Sequence, residues 1–428
     1  MPASMLQTGP GALPQTPAAP RRWSRAALLP LALAAVLLGD LALAFDLQQV
    51  LRWRHPLLGP APVTAMALPP AAGAGPAEAP PGPEAEASAS TWTAPPLTLD
   101  GIFGRPPDLS GARPEDLRVL TVTGDVIPAR SANATVLRRG DFLFPYRPTA
   151  AYLRGGDLLF INLEAPLLER CPRTDEGMTF CGDARNVEGL VYAGVSVAGL
   201  ANNHLGNYGQ AGTEETIRLL SSRGIAPAGL GHTAYRSVRG LRFAFLAYNG
   251  VGAPVDRVAM AREIGAARQR ADVVVVQFHW GKEYVRLPQR APGVAPDDPR
   301  DLGRAALAAG ADLIIGNHPH WVQGVELVAG PGAPGPAAPG TNPPDSGRLI
   351  TYAHGNFVFD QMFSAETREG VVGRYTFHGA RLVAVEYRPV RIEHFAQPRF
   401  LEGAEAGAVL GQMEAASRAL QLIPFRAP

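Results

Sequence analysis

The residues best suited to chemistry are two histidines, His318 and His320, which follow an apolar run rich in β-branched side chains. A His-x-His pair on a strand places both imidazoles at one rim of a sheet, where they can bind a common metal ion or anion. Such a pair also arises through packing or chance when it stands alone. The residues at the other strand ends therefore decide between a binding site and a chance pair.

Four further apolar runs end in the same way, each in a polar cluster. The clusters are Gly124-Asp125, Asn162-Leu163-Glu164, Asn202-Asn203-His204 and His279-Trp280-Gly281. Open α/β sheets bind ligands outside the carboxyl ends of their strands, so we expect the five clusters to converge on one crevice. Their recurrence favours a polynuclear metal site over chance.

The predicted ligands combine oxygen and nitrogen donors. They are the carboxylates of Asp125 and Glu164, the amide of Asn203, and the imidazoles of His279, His318 and His320. This mixture suits one or two ions of Mn, Zn or Fe better than Ca or Mg alone. Two ions bridged by a carboxylate could activate water and bind a phosphate.

His204 directly follows Asn203, and we predict that it is the catalytic residue, a general acid or a donor to phosphate. Each candidate also has an ordinary structural explanation. Asp125 could cap a turn, Asn202 and Asn203 could form an Asx-turn, and His279 could be a core histidine bound to backbone. Taken together, the candidates favour the metal site.

The elements that position these residues alternate strand-like runs with helical patterns from residue 117 onward, which predicts a layered α/β domain. Acidic residues occupy the first turn of an amphipathic pattern over residues 213–220, and Gly224 follows its end, as in a short helix. Asp298-Pro299 is typical of an N-cap and first helical residue, and opens a helix that ends near Gly310.

The N-terminal region predicts export. Arg21, Arg22 and Arg25 precede an apolar segment, so we expect a cytoplasmic tail (1–25) and a signal anchor or signal peptide (26–45). A linker rich in Ala, Pro and Gly (46–116) precedes the domain (117–428), which we expect outside the cytoplasm, either membrane-anchored or released after cleavage. A second such tract, 330–347, predicts a surface insertion.

Cysteine usage and charge bound the function further. In an exported domain, Cys171 and Cys181 favour a small-loop disulfide, with two free thiols as the alternative. A net charge of +1 gives no electrostatic reason to expect nucleic-acid binding.

Several motifs occur in a recognisable order over about residues 118–400. They are Thr123-Gly124-Asp125-Val126, Gly156-Asp157-Leu158-Leu159-Phe160-Ile161-Asn162-Leu163-Glu164-Ala165-Pro166-Leu167, Leu200-Ala201-Asn202-Asn203-His204, His279-Trp280-Gly281-Lys282-Glu283-Tyr284, Gly310-Ala311-Asp312-Leu313-Ile314-Ile315-Gly316-Asn317-His318-Pro319-His320 and Tyr352-Ala353-His354-Gly355-Asn356-Phe357. The set resembles the bacterial capsule synthesis family CapA, associated with poly-γ-glutamate production and related to calcineurin-like metallophosphoesterases.

This resemblance implies an α/β four-layer sandwich, with two β-sheets flanked by helices. It also implies roles: Asp125 matches the first-motif aspartate, and Glu164 (or Asn162) takes the place of the bridging aspartate. The Asn203-His204 pair, His279, and His318 with His320 match the remaining metal and catalytic positions.

The chain departs from the related motifs at two places. Ile127 stands where the phosphoesterases have a histidine ligand, so one metal position loses a ligand. Ala353-His354 replaces a Ser-Leu pair of the family motif, which makes His354 either an extra ligand or a residue behind the ligands.

The function that the resemblance implies is biosynthesis of capsule, poly-γ-glutamate or another cell-surface polymer, with a metal-dependent hydrolase-type site. The expected partners are the polymer or a phosphoester substrate, a membrane-bound polymer synthase complex, and the membrane itself through the N-terminal segment. Two alternatives stay open: a non-catalytic polymer-binding or export component, and a general extracytoplasmic phosphoesterase.

Overall fold

The computed structural model of the chain describes residues 92–328 and 347–423. The predicted tail, the predicted signal segment, residues 46–91 of the predicted linker and nearly all of the predicted insertion lie outside these ranges. In the two described ranges, no helix has both the length and the apolar character needed to cross a membrane.

The helices of the described ranges are α1 (Leu99–Phe103), α2 (Arg130–Arg139), α3 (Ala150–Leu153), α4 (Asn186–Ala193), α5 (Gly209–Ser222), α6 (Arg257–Arg268), α7 (Pro299–Ala308), α8 (Ala365–Arg368) and α9 (Gly403–Leu422). Two short 3₁₀ helices span Pro114–Asp116 and Leu205–Tyr208. The predicted cap of α7 is present: the Asp298 side chain accepts from the backbone N–H groups of Arg300 and Asp301, and Pro299 is the first helical residue.

The strands of the same ranges are β1 (Leu117–Val126), β2 (Leu158–Leu163), β3 (Leu167–Leu168), β4 (Gly182–Asp183), β5 (Val197–Gly199), β6 (Ala226–Ala228), β7 (Ala234–Val238), β8 (Leu241–Asn249), β9 (Val273–His279), β10 (Leu313–Asn317), β11 (Val325–Val328), β12 (Arg348–Thr351), β13 (Asn356–Val358), β14 (Glu369–His378), β15 (Arg381–Glu393) and β16 (Gln397–Phe400).

Two mixed sheets form the centre of the described domain. The first has the order β16-β15-β14-β1-β2-β5-β6, with β13 also paired to β1, and the second has the order β11-β12-β10-β9-β8-β7. Strands β1, β2, β5 and β6 are parallel, as are β8, β9, β10 and β12. Parallel strands place their carboxyl ends at one edge, so each sheet gathers its polar strand ends on one side.

The two sheets pack face to face, and helices cover their outer faces. Apolar side chains from both sheets, including Val122, Phe160 and Phe245, form the cluster between the sheets. A second cluster joins the first sheet to α3, α4 and α5, and a third joins the second sheet to α6 and α7. The order helix, sheet, sheet, helix is the predicted four-layer sandwich, and the prediction of the fold is confirmed.

The structured part begins before residue 117, where the sequence placed the end of the linker. Leu97 and Leu99 are buried in the cluster between the sheets, and Thr98 caps α1 by accepting from the backbone N–H of Gly101. Composition averaged over a Pro- and Ala-rich segment conceals two such anchoring leucines. Residues 97–103 thus pack against the domain although they lie within the range of the predicted linker.

Candidate metal centre

The polar strand ends of both sheets meet at one place. Asp125 in β1 is in register with Asn162 in β2, and Glu164 follows β2 directly. In the second sheet, His279 ends β9 and is in register with Asn317, the last residue of β10. All five side chains are buried. The predicted convergence of these strand ends on one site is what the structure shows.

Asp125 occupies the middle of a hydrogen-bond network that spans both sheets. Its Oδ1 accepts from Nδ2 of Asn162 at 2.8 Å and from Nδ2 of Asn317 at 2.7 Å. Gln277 supports this arrangement from β9, because its Nε2 donates to Oδ1 of Asn317 at 2.8 Å. Two neutral amides thus orient the carboxylate while its Oδ2 faces Nδ1 of His320 at 3.3 Å.

Glu164 belongs to two sets of residues that could each hold an ion. The first donor group is Asp125, Glu164 and His279, and the second donor group is Glu164, His318 and His320. Within each group the donor atoms lie within 4.8 Å of one another. A carboxylate shared between two groups is the arrangement that a bridging ligand of a two-metal site requires.

The donor atoms lack the hydrogen bonds that buried polar atoms normally make. Oε1 of Glu164, Oδ1 of Asn203, Nε2 of His279 and both ring nitrogens of His318 are buried without a hydrogen-bond partner. Nε2 of His279 and Oε1 of Glu164 are 3.2 Å apart, yet no hydrogen bond joins them. Buried polar atoms without partners are costly, and a divalent ion would satisfy these lone pairs. The residues present fit a metal centre.

The charges of the centre also fit a cation. Burial, and then the negative charge of Asp125, raises the pKa of the Glu164 carboxyl well above its ordinary value. Burial lowers the pKa of His279 to about 3 and lowers the pKa of His318 well below its ordinary value. Both imidazoles are therefore neutral at neutral pH, which is the form that binds metal ions.

His320 differs from the other two histidines. Burial disfavours its charged form, but the hydrogen bond to Asp125 and the negative charge of Glu164 raise its pKa to about 9 in the metal-free protein. Its Nδ1 lies 2.9 Å from Oδ1 of Asn356, which orients the ring. His318 and His320 both adopt positive φ angles, of 95° and 57°, which non-glycine residues adopt uncommonly. Strained backbone of this kind clusters at functional sites.

His204, the predicted catalytic residue, is buried beside the donor residues. Its ring stacks on Phe180 with the centroids 4.0 Å apart, and its Nδ1 lies 3.0 Å from Oδ1 of Asn207. Asn207 also accepts from the backbone N–H of Phe180, so one amide oxygen positions both rings. Burial is the main cause that lowers the pKa of His204 to about 4, against the opposing effect of the hydrogen bond to Asn207.

Several residues of the site were not among the sequence candidates. Asn317 donates to Asp125, Gln277 donates to Asn317, and Asn356 bonds His320. Asn202 donates to Oδ1 of Asn162, while its own Oδ1 accepts from two backbone N–H groups of the following loop. The sequence signal for Asn317 and Asn356 was present, since each lies within a quoted motif. Gln277 gave little signal because it stands inside an apolar run.

Ile127 and His354 are the two positions at which the sequence departs from the expected motifs. Ile127 is buried in an apolar cluster with Phe180 and Phe359, and contributes no donor. His354 lies outside both donor groups, and its Nε2 is 2.9 Å from the hydroxyl of Tyr375. Its ring also contacts Tyr387.

Comparison with known proteins gives consistent matches. The family model "Bacterial capsule synthesis protein PGA_cap" matches residues 119–361, a range that contains every predicted ligand. The capsule biosynthesis protein CapA of Bacillus anthracis is 27% identical over 312 residues, covering 66% of this chain and 69% of that protein. The PGA biosynthesis protein CapA of Bacillus subtilis (strain 168) is 27% identical over 308 residues, covering 66% and 74%. A solved structure of a hypothetical protein from Thermus thermophilus aligns with 64% of this chain and 100% of its own, at 18% identity and a TM-score of 0.39.

Proposed function

This chain belongs to the PGA_cap family of bacterial capsule synthesis proteins, and we propose that it acts on capsule, poly-γ-glutamate or another cell-surface polymer through a metal-dependent hydrolase-type site. The observation that carries this proposal is the pair of donor groups that share Glu164 and whose buried donor atoms lack hydrogen-bond partners.

The chemistry follows from the residues of the centre. Divalent ions bound there would supply Lewis-acid activation of a water molecule and of the scissile group. Asp125, Glu164, Asn203, His279, His318 and His320 would hold the ions. The Oδ1 of Asn207 accepts from Nδ1 of His204, which leaves Nε2 of the neutral ring unprotonated and able to accept a proton.

The proposal extends to where the protein works. The chain would act outside the cytoplasm, anchored by or released from its N-terminal segment, beside a membrane-bound polymer synthase complex. The bond between Cys171 and Cys181 supports this placement, because disulfides form and persist in oxidising compartments.

A second candidate function is that of a non-catalytic polymer-binding component on the same fold. Ile127 favours it, because a buried isoleucine replaces a ligand that the related hydrolases use. A general extracytoplasmic phosphoesterase is the third candidate, and substrate range separates it from the first.

The test compares His204→Ala with His279→Ala in the full-length protein, with the exposed His232 changed to alanine as the control. We expect His204→Ala to keep its metal and to lose about 10²–10⁴-fold in turnover, as for general acid–base residues. His279→Ala should lose metal as well as turnover. Metal content is measured by elemental analysis, and turnover on poly-γ-glutamate, other surface polymers and simple phosphoesters.

Each outcome separates the candidates. Turnover of polymers by the wild type but not of simple phosphoesters supports the first function, and the reverse supports the general phosphoesterase. A protein that holds metal but turns over neither supports the binding component. Wild-type protein that holds no metal after reloading would contradict the proposed site altogether.

A further inference from the structure

Glu283 lies beside the second donor group without belonging to the set predicted from sequence. Its Oε1 is 3.8 Å from Nε2 of His320 and 4.0 Å from Nε2 of His318. Its side chain is 36% exposed, whereas the side chains of the two histidines are almost completely buried. Glu283 thus approaches the donor group from the solvent side.

The loop that carries Glu283 is tied to the loop that carries the two histidines. The backbone N–H of Tyr284 donates to the carbonyl of Pro319 at 3.0 Å, which sets Glu283 opposite the His318-Pro319-His320 segment. Tyr284 adopts a positive φ of 57°, and its hydroxyl accepts from Nε2 of Gln361 at 2.9 Å. A strained residue bonded at both its backbone and its side chain indicates a built position rather than a chance approach.

The distances suit two ligands of one ion. When donors bind zinc or a similar ion at about 2.0–2.2 Å in tetrahedral geometry, two donors of that ion are about 3.4 Å apart. The two separations from Glu283 exceed this by about half an ångström, and a small rotation of a partly exposed glutamate covers that difference. Nε2 of His318 is buried without a hydrogen-bond partner.

We infer that Glu283 is the fourth ligand of the ion held by Glu164, His318 and His320. The inference rests on the metal centre of the proposed function and adds a residue to it. A carboxylate from the β9–α7 loop would raise the number of donors in the second group from three to four. Of the ligands of the second donor group, Glu283 would then be the one that faces solvent, on the side from which a substrate would arrive.

The rival explanation is an ion pair, in which Glu283 only balances a protonated His320. The two explanations predict different metal contents for Glu283→Ala. A ligand contributes to holding an ion, so we expect the full-length wild type to bind two equivalents of Mn²⁺ and Glu283→Ala to bind one. An ion-pair partner would leave the number of equivalents unchanged.

Metal equivalents are measured by elemental analysis after equilibrium dialysis against Mn²⁺, and paramagnetic resonance distinguishes a coupled pair of ions from isolated ions. Glu188→Ala is the control, since Glu188 is an exposed glutamate in the first turn of α4. We expect the wild type and Glu188→Ala to give the signal of a coupled pair, and Glu283→Ala to give that of an isolated ion.

Equal metal content in Glu283→Ala and wild type, whether one equivalent or two, overturns the inference and leaves the metal dependence of the proposed function standing. No metal in the wild type overturns both. If circular dichroism shows that Glu283→Ala does not fold, Glu283→Asp replaces it. The shorter carboxylate should lower the occupancy of one ion and not of the other, and unchanged occupancy overturns the inference.

Discussion

Asn162 and Glu164 belong to one motif but have different roles in the candidate metal centre: Asn162 hydrogen-bonds the carboxylates, and Glu164 is a candidate ligand. Nδ2 of Asn162 donates to Asp125 at 2.8 Å and to Oε2 of Glu164 at 3.3 Å. A neutral amide between two buried carboxylates reduces their repulsion without adding charge. Oδ1 of Asn162 accepts from Asn202, whereas Oε1 of Glu164 is buried without a partner. Of the two residues that the resemblance offered as the bridge, the geometry therefore favours Glu164.

His354 is expected to make the metal-free protein sensitive to acid. Burial lowers its pKa from 6.5 to about 4, so the folded state resists a proton that the unfolded state accepts. The free energy of unfolding therefore does not depend on His354 protonation well above pH 6.5, and it decreases as the pH falls from 6.5 towards 4. Between about pH 7.5 and pH 5 this histidine should remove about 2 kcal/mol from the free energy of unfolding.

His354→Gln tests this expectation, since the amide retains hydrogen-bonding capacity towards Tyr375 and does not titrate. Urea unfolding of both chelator-treated proteins at the two pH values should show a drop that is about 2 kcal/mol smaller in the variant. The buried His204, His279 and His318 contribute in the same direction in both proteins and cancel in the comparison. Identical drops would show that His354 does not titrate in this range.

At the level of elements, β10 depends on close approach to its neighbours. A Cβ added to Gly316 would lie 1.8 Å from the carbonyl oxygen of Tyr352 and 2.7 Å from Nε1 of Trp280. Those two atoms already form a hydrogen bond of 3.0 Å, which leaves no room for either to move. Gly316 immediately precedes Asn317 and His318, so a displaced β10 would move part of the metal centre.

Gly316→Ala should therefore lower the free energy of unfolding by about 3 kcal/mol and weaken metal binding. Gly265→Ala is the matched control, because Gly265 lies in α6 with no atom near the added methyl group, and alanine there should stabilise the helix by about 0.5–1 kcal/mol. Urea unfolding and metal titration measure both effects. A Gly316→Ala protein as stable as wild type would mean that β10 and β12 separate easily.

The strands and loops of the site differ in how far they could be predicted from the sequence. Strand ends such as Asp125 and His279 were evident, because each closes an apolar run with an abrupt change of polarity. The resemblance to a known family added the order of the layers. Contacts between distant loops leave no local pattern in the sequence. The backbone hydrogen bond from Tyr284 to Pro319, for example, joins residues that no periodicity relates. Glu283 was missed for this reason, whereas α1 was concealed by the composition of the segment around it.

At the scale of the whole molecule, metal should contribute measurably to stability. A ligand that binds only the folded state stabilises it by about 2.7 kcal/mol at a free concentration 100 times its dissociation constant. Removing metal with a chelator should lower the melting temperature of the wild type. The doubly substituted protein, His318→Ala with His320→Ala, keeps only the first donor group, so chelator should lower its melting temperature less than that of the wild type, while His232→Ala should behave like wild type.

The candidate metal ligands come from both sheets, which has a consequence for when the proposed centre can bind an ion. Asp125 and Glu164 come from the first sheet, whereas His279, His318 and His320 come from the second. Neither sheet alone holds a complete set of donors, so a partly folded chain has little affinity for metal. Loading then follows the closure of the sandwich, and the ion is drawn from the metals available wherever folding is completed. For the proposed centre, whose mixed donors suit several divalent ions, the compartment in which folding is completed would determine the bound metal as much as coordination chemistry does.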